Sequence, residues 1–271
     1  MKKAIMLTVF GTSTEAKITF DKLIPLVKAE YPDRDIFVPY TSGVIRNKLN
    51  KTLLEPILSP EEMLNKLKGE GYTDIAVIST LIFAGVEHDK LEATVKTFAS
   101  NNKEINISYQ PPILADERNI LPVVETLSKH LLPNAANIVV SHGTHDGHPV
   151  EAVYLKVAEI VESLYPDTYL GSIEGIPDID DALKRATDKG NVRFLVFMFV
   201  AGDHAENDIV SDDEDSLFSK TKAMGKTPSV AWVTVDGKER IASLGLDPDY
   251  IKILMEYYKN SPSLAKGWQL A

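Results

Sequence analysis

Phe10-Gly11-Thr12-Ser13 ends the first apolar run of the chain, Ala4–Phe10, and His142-Gly143-Thr144-His145 follows a later one, Asn137–Ser141. Two further matches come in the same order. Tyr31-Pro32-Asp33, a predicted strand and Gly43 return as Tyr165-Pro166-Asp167, a predicted strand and Gly175. Phe83-Ala84-Gly85-Val86-Glu87 returns as Val200-Ala201-Gly202-Asp203-His204. Each fragment alone is common, but shared order and spacing argue for two homologous halves. They divide near Leu131–Pro133, giving residues 1–131 and 132–271.

Each half alternates short apolar runs with longer amphipathic ones. Strands are predicted at Ala4–Phe10, Asp35–Pro39, Asp74–Ser79, Ile105–Gln110, Asn137–Ser141, Thr168–Ile173, Arg193–Val200 and Ser229–Val233. Helices are predicted at Glu15–Glu30, Pro60–Gly69, Asp89–Ala99, Ile120–Leu131, Val150–Leu164, Asp178–Asp188, Asp215–Ala223 and Pro248–Lys259. Continuous Val/Ile/Leu strands between helices imply parallel sheets covered on both faces. The expected fold is therefore α/β: two similar doubly wound domains. Ligands of such sheets bind at the carboxyl ends of the strands, so two of them predict an active-site cleft between the domains.

Composition narrows the chemistry. At 271 residues, 44% hydrophobic and 25% charged, the chain is a packed globular protein. Its net charge of −10 argues against a general nucleic-acid binder, which needs clustered Lys and Arg. No cysteine is present, so any metal must sit on nitrogen and oxygen ligands. No apolar run approaches a membrane span, and the first one reads as a buried strand, which places the protein in the cytoplasm. A Gly-x-Gly-x-x-Gly fingerprint and a Gly-x-Ser-x-Gly elbow are both absent, and Gly225-Lys226-Thr227 lacks the first glycine of a P-loop. No organic cofactor is expected.

Five of the six histidines, His88, His142, His145, His148 and His204, fall at the carboxyl side of predicted strands; His130 lies near a helix end. Glu174 ends the second strand of the second half, and Glu87 occupies the place in the first half that His204 holds in the second. Imidazole and carboxylate suit Co, Ni, Fe or Zn. Two histidines and a carboxylate leave coordination positions open, as a catalytic site needs. Thr144, Asp146 or Gly147, with Pro149, would cap the helix starting near Val150; His142 lies outside that explanation. Asp212-Asp213-Glu214-Asp215 reads as a solvated helix start, and Asp236-Gly237 as a turn. Arg46, Lys48 and Lys51 form a basic cluster able to meet substrate carboxylates.

Val9-Phe10-Gly11-Thr12-Ser13, Tyr40-Thr41-Ser42-Gly43, Ser141-His142-Gly143, Glu174 and Val200-Ala201-Gly202-Asp203-His204-Ala205-x-Asn207-Asp208, followed by Ser211-Asp212-Asp213, resemble the anaerobic cobalt chelatases of cobalamin synthesis. These are class II chelatases of the ferrochelatase-like superfamily. The resemblance runs through about the first 260 residues. It implies two similar α/β domains flanking a tetrapyrrole cleft and insertion of Co²⁺ into sirohydrochlorin, or precorrin-2, with Fe²⁺ or Ni²⁺ as alternative metals. It makes His142 and His204 the metal-binding, proton-accepting pair, Glu174 their carboxylate partner and Glu87 an acid reaching in from the first half. Phe10, Gly11, Thr12, Ser13, Arg46, Gly85 and Gly143 would contact the macrocycle. The chain departs from the pattern at Val86, where a polar residue beside Glu87 is expected, and in the extra candidate ligands His88, His145 and His148.

These residue types suit the reaction. Two pyrrole N–H protons leave while a hydrated metal sheds water, so the site needs a base titrating near neutrality and ligands able to let go. A macrocycle rimmed with carboxylates meets a negatively charged protein, but screening over about 8 Å makes the local lining decisive. N–H groups after Gly11 and Gly143, with Arg46 or Lys48, would receive the carboxylates. A non-catalytic tetrapyrrole or metal carrier on the same fold is the alternative, and a homo-oligomer stays open.

Overall fold

In the computed structural model, which describes residues 1–145 and 147–260, Ala4, Ile5, Met6 and Leu7 have no solvent exposure. A run buried on both faces can only be an inner strand of a covered sheet. The chain divides into two units, one of Met1–Ser13, Phe20–Ala115 and the described residues from Lys252 to Asn260, the other of Thr14–Thr19 and Asp116–Ile251.

The first unit runs β1 (Lys2–Thr8), α1 (Ile18–Glu30), β2 (Asp35–Phe37), α2 (Gly43–Leu49), α3 (Pro60–Gly69), β3 (Tyr72–Ser79), α4 (Val86–Asn101) and β4 (Asn106–Gln110). Its sheet has the order β2-β1-β3-β4, parallel throughout. Met63, Leu64 and Leu67 of α3 and Leu91, Val95 and Phe98 of α4 cover one face with Met6, Ile75 and Val77. The start of α3 is a capping box, in which Ser59 Oγ accepts the Glu62 N–H and the Glu62 carboxylate accepts the Ser59 N–H.

The second unit runs α5 (Ile120–Glu125), β5 (Ala136–Gly143), α6 (Glu151–Leu164), β6 (Thr168–Glu174), α7 (Ile179–Arg185), β7 (Asn191–Val196), α8 (Leu217–Ala223), β8 (Thr227–Val230) and the hairpin β9 (Trp232–Val235) and β10 (Lys238–Ile241). Its sheet order is β6-β5-β7-β8, again all parallel. The two sheets thus share one winding, in which strand order reverses beside the first strand. Ile138, Val140, Phe194, Val196, Ile179 and Leu183 form its core. The last helix, α9 (Pro248–Lys259), starts in this unit's part of the chain and ends in the first's, where Tyr258 is fully buried and its hydroxyl donates to the Ser79 carbonyl at 2.8 Å.

Several expectations are corrected. The segment carrying Arg46 and Lys48 is helix α2, two turns started by Ser42 Oγ accepting the Ile45 N–H, too short for a periodic signal. Predicted strand Ser229–Val233 is two strands broken at Ala231, because β8 completes the parallel sheet and the chain then enters the hairpin. Its turn is Asp236-Gly237, both with left-handed φ, as expected of a tight hairpin. Strand Arg193–Val200 leaves the ladder at Val196, and the carbonyls of Met198 and Phe199 accept instead from Leu244 and Gly245. The last turns of predicted helix Ile120–Leu131 tighten to 3₁₀ over Thr126–His130. Predicted helix Asp215–Ala223 begins only at Leu217, since Ser216 caps it. The capping role expected of Asp146 lies outside the described residues. Among the described residues no helix is long and apolar enough to cross a membrane.

Candidate functional site

The reversal of strand order in the second unit lies between β5 and β7, the crevice where ligands of wound sheets bind. His142 is the penultimate residue of β5, and His204 ends the loop that leaves β7. The two side chains meet there. Their Nε2 atoms are 3.2 Å apart, with ring planes at 89°.

Close backbone packing fixes the first of them. Gly143 has φ +87°, and a Cβ on it would lie 1.7 Å from the Glu174 carbonyl oxygen. Only glycine lets β5 run this close to β6, and the contact is made by the Thr144 N–H donating to that carbonyl at 3.1 Å. Tyr154 of α6 donates its hydroxyl to the Gly143 carbonyl at 3.2 Å. His204 is fixed differently. It leads into a π-helical turn, Ala205–Ile209, whose end residues Ala205 and Ile209 are fully buried. Single π turns are frequent at functional sites.

Each imidazole has an acceptor at its far nitrogen. Asp208 Oδ2 lies 2.6 Å from Nδ1 of His204, and the Gly143 carbonyl lies 3.4 Å from Nδ1 of His142. With both Nδ1 atoms donating, both Nε2 lone pairs point into the same space. One ion about 2.1 Å from each would see them at an angle of about 100°, between tetrahedral and octahedral values. Burial pushes the His142 imidazole below its ordinary 6.5, the neighbouring His204 adds to this, and the Glu174 charge, the Gly143 carbonyl and Asp208 oppose it. Among the described residues no three His, Asp or Glu side chains are grouped closely enough to hold an ion, so this pair leaves most of a metal's positions open.

The other expected residues distribute as follows. Glu174 ends β6 half-exposed, with its carboxylate 3.9 Å from Nδ1 of His145. Glu87 is in the first unit, in the first turn of α4, paired with Lys90 at 2.8 Å, and Gly85 caps that helix. Phe10, Gly11, Thr12 and Ser13 follow β1; Gly11, at φ +104°, is pressed against the Tyr40 ring, and Ser13 Oγ accepts from Lys48 at 2.8 Å. Arg46 commits Nη1 to the carbonyls of Tyr40 and Thr41. The extra histidines differ from one another. His88 is buried against the Tyr109 hydroxyl, 2.6 Å from its Nδ1, which gives it a place in the packing of α4 on β4. His148 Nδ1 accepts the Val150 N–H just ahead of α6, and among the described residues no side chain makes the capping bond expected there of Thr144. Sequence reasoning gives Asp208 no role; the available signal was its spacing four residues after His204 in a helical turn.

A family model described as cobalt chelatase (CbiK) matches residues 3–256. The chain is 30% identical over 243 residues to the sirohydrochlorin cobaltochelatase of Salmonella typhimurium, covering 86% of this chain and 89% of that one. It is 27% identical over 231 residues to the sirohydrochlorin cobaltochelatase CbiKC of Nitratidesulfovibrio vulgaris, covering 83% and 81%. Among solved structures, SirB from Bacillus subtilis with Fe³⁺ shares the fold, with TM-score 0.60 and 16% identity over 96% of this chain and 95% of that one.

Proposed function

The chain belongs to the cobalt chelatase (CbiK) family, and from that premise we propose that it inserts Co²⁺ into sirohydrochlorin, using His142 and His204 as metal ligands and proton acceptors. The observation that carries the reading is the 3.2 Å approach of two Nε2 atoms whose Nδ1 partners are each held by an acceptor. Two neutral imidazoles arranged in this way offer a divalent ion two donors and leave the rest of its shell to water and to the incoming ring.

Insertion exchanges one divalent ion for two pyrrole protons, so charge is conserved and the protons need a destination. As each metal–imidazole bond gives way to a metal–pyrrole bond, an Nε2 lone pair is released beside the ring and can take a proton to solvent. The imidazolium formed on His204 faces the Asp208 carboxylate. Burial of His142 keeps its imidazole neutral at pH 7, which favours it as a ligand. Glu174 serves as the carboxylate partner of the pair and Glu87 as an acid from the first half. The proposed macrocycle contacts are Phe10, Gly11, Thr12, Ser13, Arg46 and Gly85 in the first unit and Gly143 in the second. The doubled sheet order supports reading residues 1–131 and 132–271 as homologous halves, with the reaction taking place in the cytoplasm.

The test is an anaerobic absorbance assay with sirohydrochlorin and Co²⁺, beside His142→Ala, His204→Ala and an enzyme-free control. Saturable insertion that collapses in both variants is expected. Binding of the macrocycle without insertion above the control, with Co²⁺, Fe²⁺ or Ni²⁺ alike, would make the protein a carrier.

A further inference from the structure

Beyond the histidine pair and the His130–Asp247 contact, a further imidazole of this unit approaches a carboxylate. His145, with its side chain 81% exposed, holds Nδ1 3.9 Å from Oε2 of Glu174, which is 44% exposed. The backbone beneath them is closely packed: Thr144 N–H donates to the Glu174 carbonyl, and a Cβ on Gly175 would lie 2.1 Å from the Thr144 carbonyl oxygen, so position 175 admits no side chain. Two solvated side chains on a fixed base are free to close on a guest.

The separation itself is informative. At 3.9 Å the pair is too long for a hydrogen bond. A divalent ion about 2.1 Å from both atoms would bridge them at about 135°, and a side-chain rotation that shortens the gap to about 3.0 Å would give neighbouring octahedral positions. Glu174 is paired with Gly143 in the β5–β6 ladder, and Gly143 directly follows His142, so the outer pair sits on the same strand ends as the inner one.

We infer that His145 and Glu174 form an outer capture site for the hydrated divalent ion, which passes from it to His142 and His204. This rests on the chelatase reading above. No bond other than metal–ligand bonds changes: the His145 nitrogen, the Glu174 oxygen and water oxygens leave the shell as two Nε2 atoms join it. Such a relay spares the ion from losing its whole hydration shell in one step, and a site of only two protein donors holds it weakly enough to pass it on.

The experiment pairs a Co²⁺ titration of the macrocycle-free protein, read by visible d–d absorbance, with insertion kinetics at varied Co²⁺. Wild type, His145→Ala and His145→Asp are compared. The wild type is expected to bind cobalt in two phases. His145→Ala should lose the weaker phase and raise KM for Co²⁺ about tenfold while kcat at saturating metal holds, and His145→Asp, which restores an oxygen donor, should recover most of the loss. A single cobalt phase in the wild type, or a KM for Co²⁺ within about twofold of wild type in His145→Ala, overturns the capture site. If the wild type inserts no metal, the chelatase reading fails and the titration alone decides between capture site and bystander.

Discussion

Nε2 of His142 stands 3.2 Å from Nε2 of His204, while Asp208 holds the opposite nitrogen of His204 at 2.6 Å. Two lone pairs this close repel unless an ion or a proton lies between them. The fold spends buried Ala205 and Ile209, and glycine at position 143, to keep them there. Three consequences can be measured.

Asp208→Asn removes the charge that orients His204 and leaves the fold in place, because the side chain is partly exposed and the amide is nearly isosteric with the carboxylate. Cobalt affinity should fall about tenfold, as is usual when a partner behind a ligating histidine is lost. Equilibrium dialysis measures the affinity, and ¹⁵N NMR of His204 should show a mixed tautomer population where wild type shows one. An unchanged affinity together with an unchanged tautomer would leave Asp208 without a positioning role.

The buried imidazole of His142 makes stability depend on pH with a definite sign. Its folded value lies below 6.5, so between that value and 6.5 the unfolded chain binds more protons than the folded one. The stability contributed by keeping His142 neutral is fully present above 6.5 and falls as pH drops through this window. Urea unfolding at about pH 7.5 and about pH 5.5 should show the loss in wild type and a smaller one in His142→Ala. Cobalt loading should weaken over the same interval, as protons compete for Nε2.

Gly143→Ala places a Cβ against a backbone carbonyl that cannot yield, in a left-handed conformation. It should cost about 3 kcal/mol and misplace His142. Gly11→Ala carries a similar φ but meets the edge of the Tyr40 ring, which can turn. Its cost in urea midpoint should be smaller, and the cobalt affinity of the histidine pair should stay at the wild-type value.

Asp247 is nearly inaccessible, yet its carboxyl lies below the ordinary 3.8. Burial alone would raise it, and the opposing hydrogen bonds from His130, Lys129 and the N–H groups of Asp249 and Tyr250 outweigh that effect. The contribution is therefore present above 3.8 and lost as pH falls from 3.8 through the folded value. Asp247→Asn should cost about 2 kcal/mol at neutral pH. In acid-unfolding curves the gap to wild type should narrow below about pH 4; a gap that stays constant would assign the loss to packing.

The internal repeat carried most of the fold. Apolar runs that must be buried on both faces can only be inner parallel strands, and their recurrence with matched turn motifs predicted two wound sheets, as observed. Helices α3 and α9 run from Pro60 to Gly69 and from Pro248 to Lys259, as their amphipathic periods and end signals predict. Short elements escaped, because the two turns of α2 and the single π turn after His204 are too brief for any period to register. The sequence also singled out His142 and His204, since a histidine directly beyond a predicted strand falls on the ligand-binding rim of such a sheet. Rim position alone did not separate them from His88, His145 and His148; the resemblance to the cobalt chelatases did. Tertiary packing made the same division for two of these, turning His88 onto Tyr109 and His148 onto the Val150 N–H. Only packing revealed what Asp208 does, because the direction of a side chain in a tight helical turn depends on what is buried beneath it.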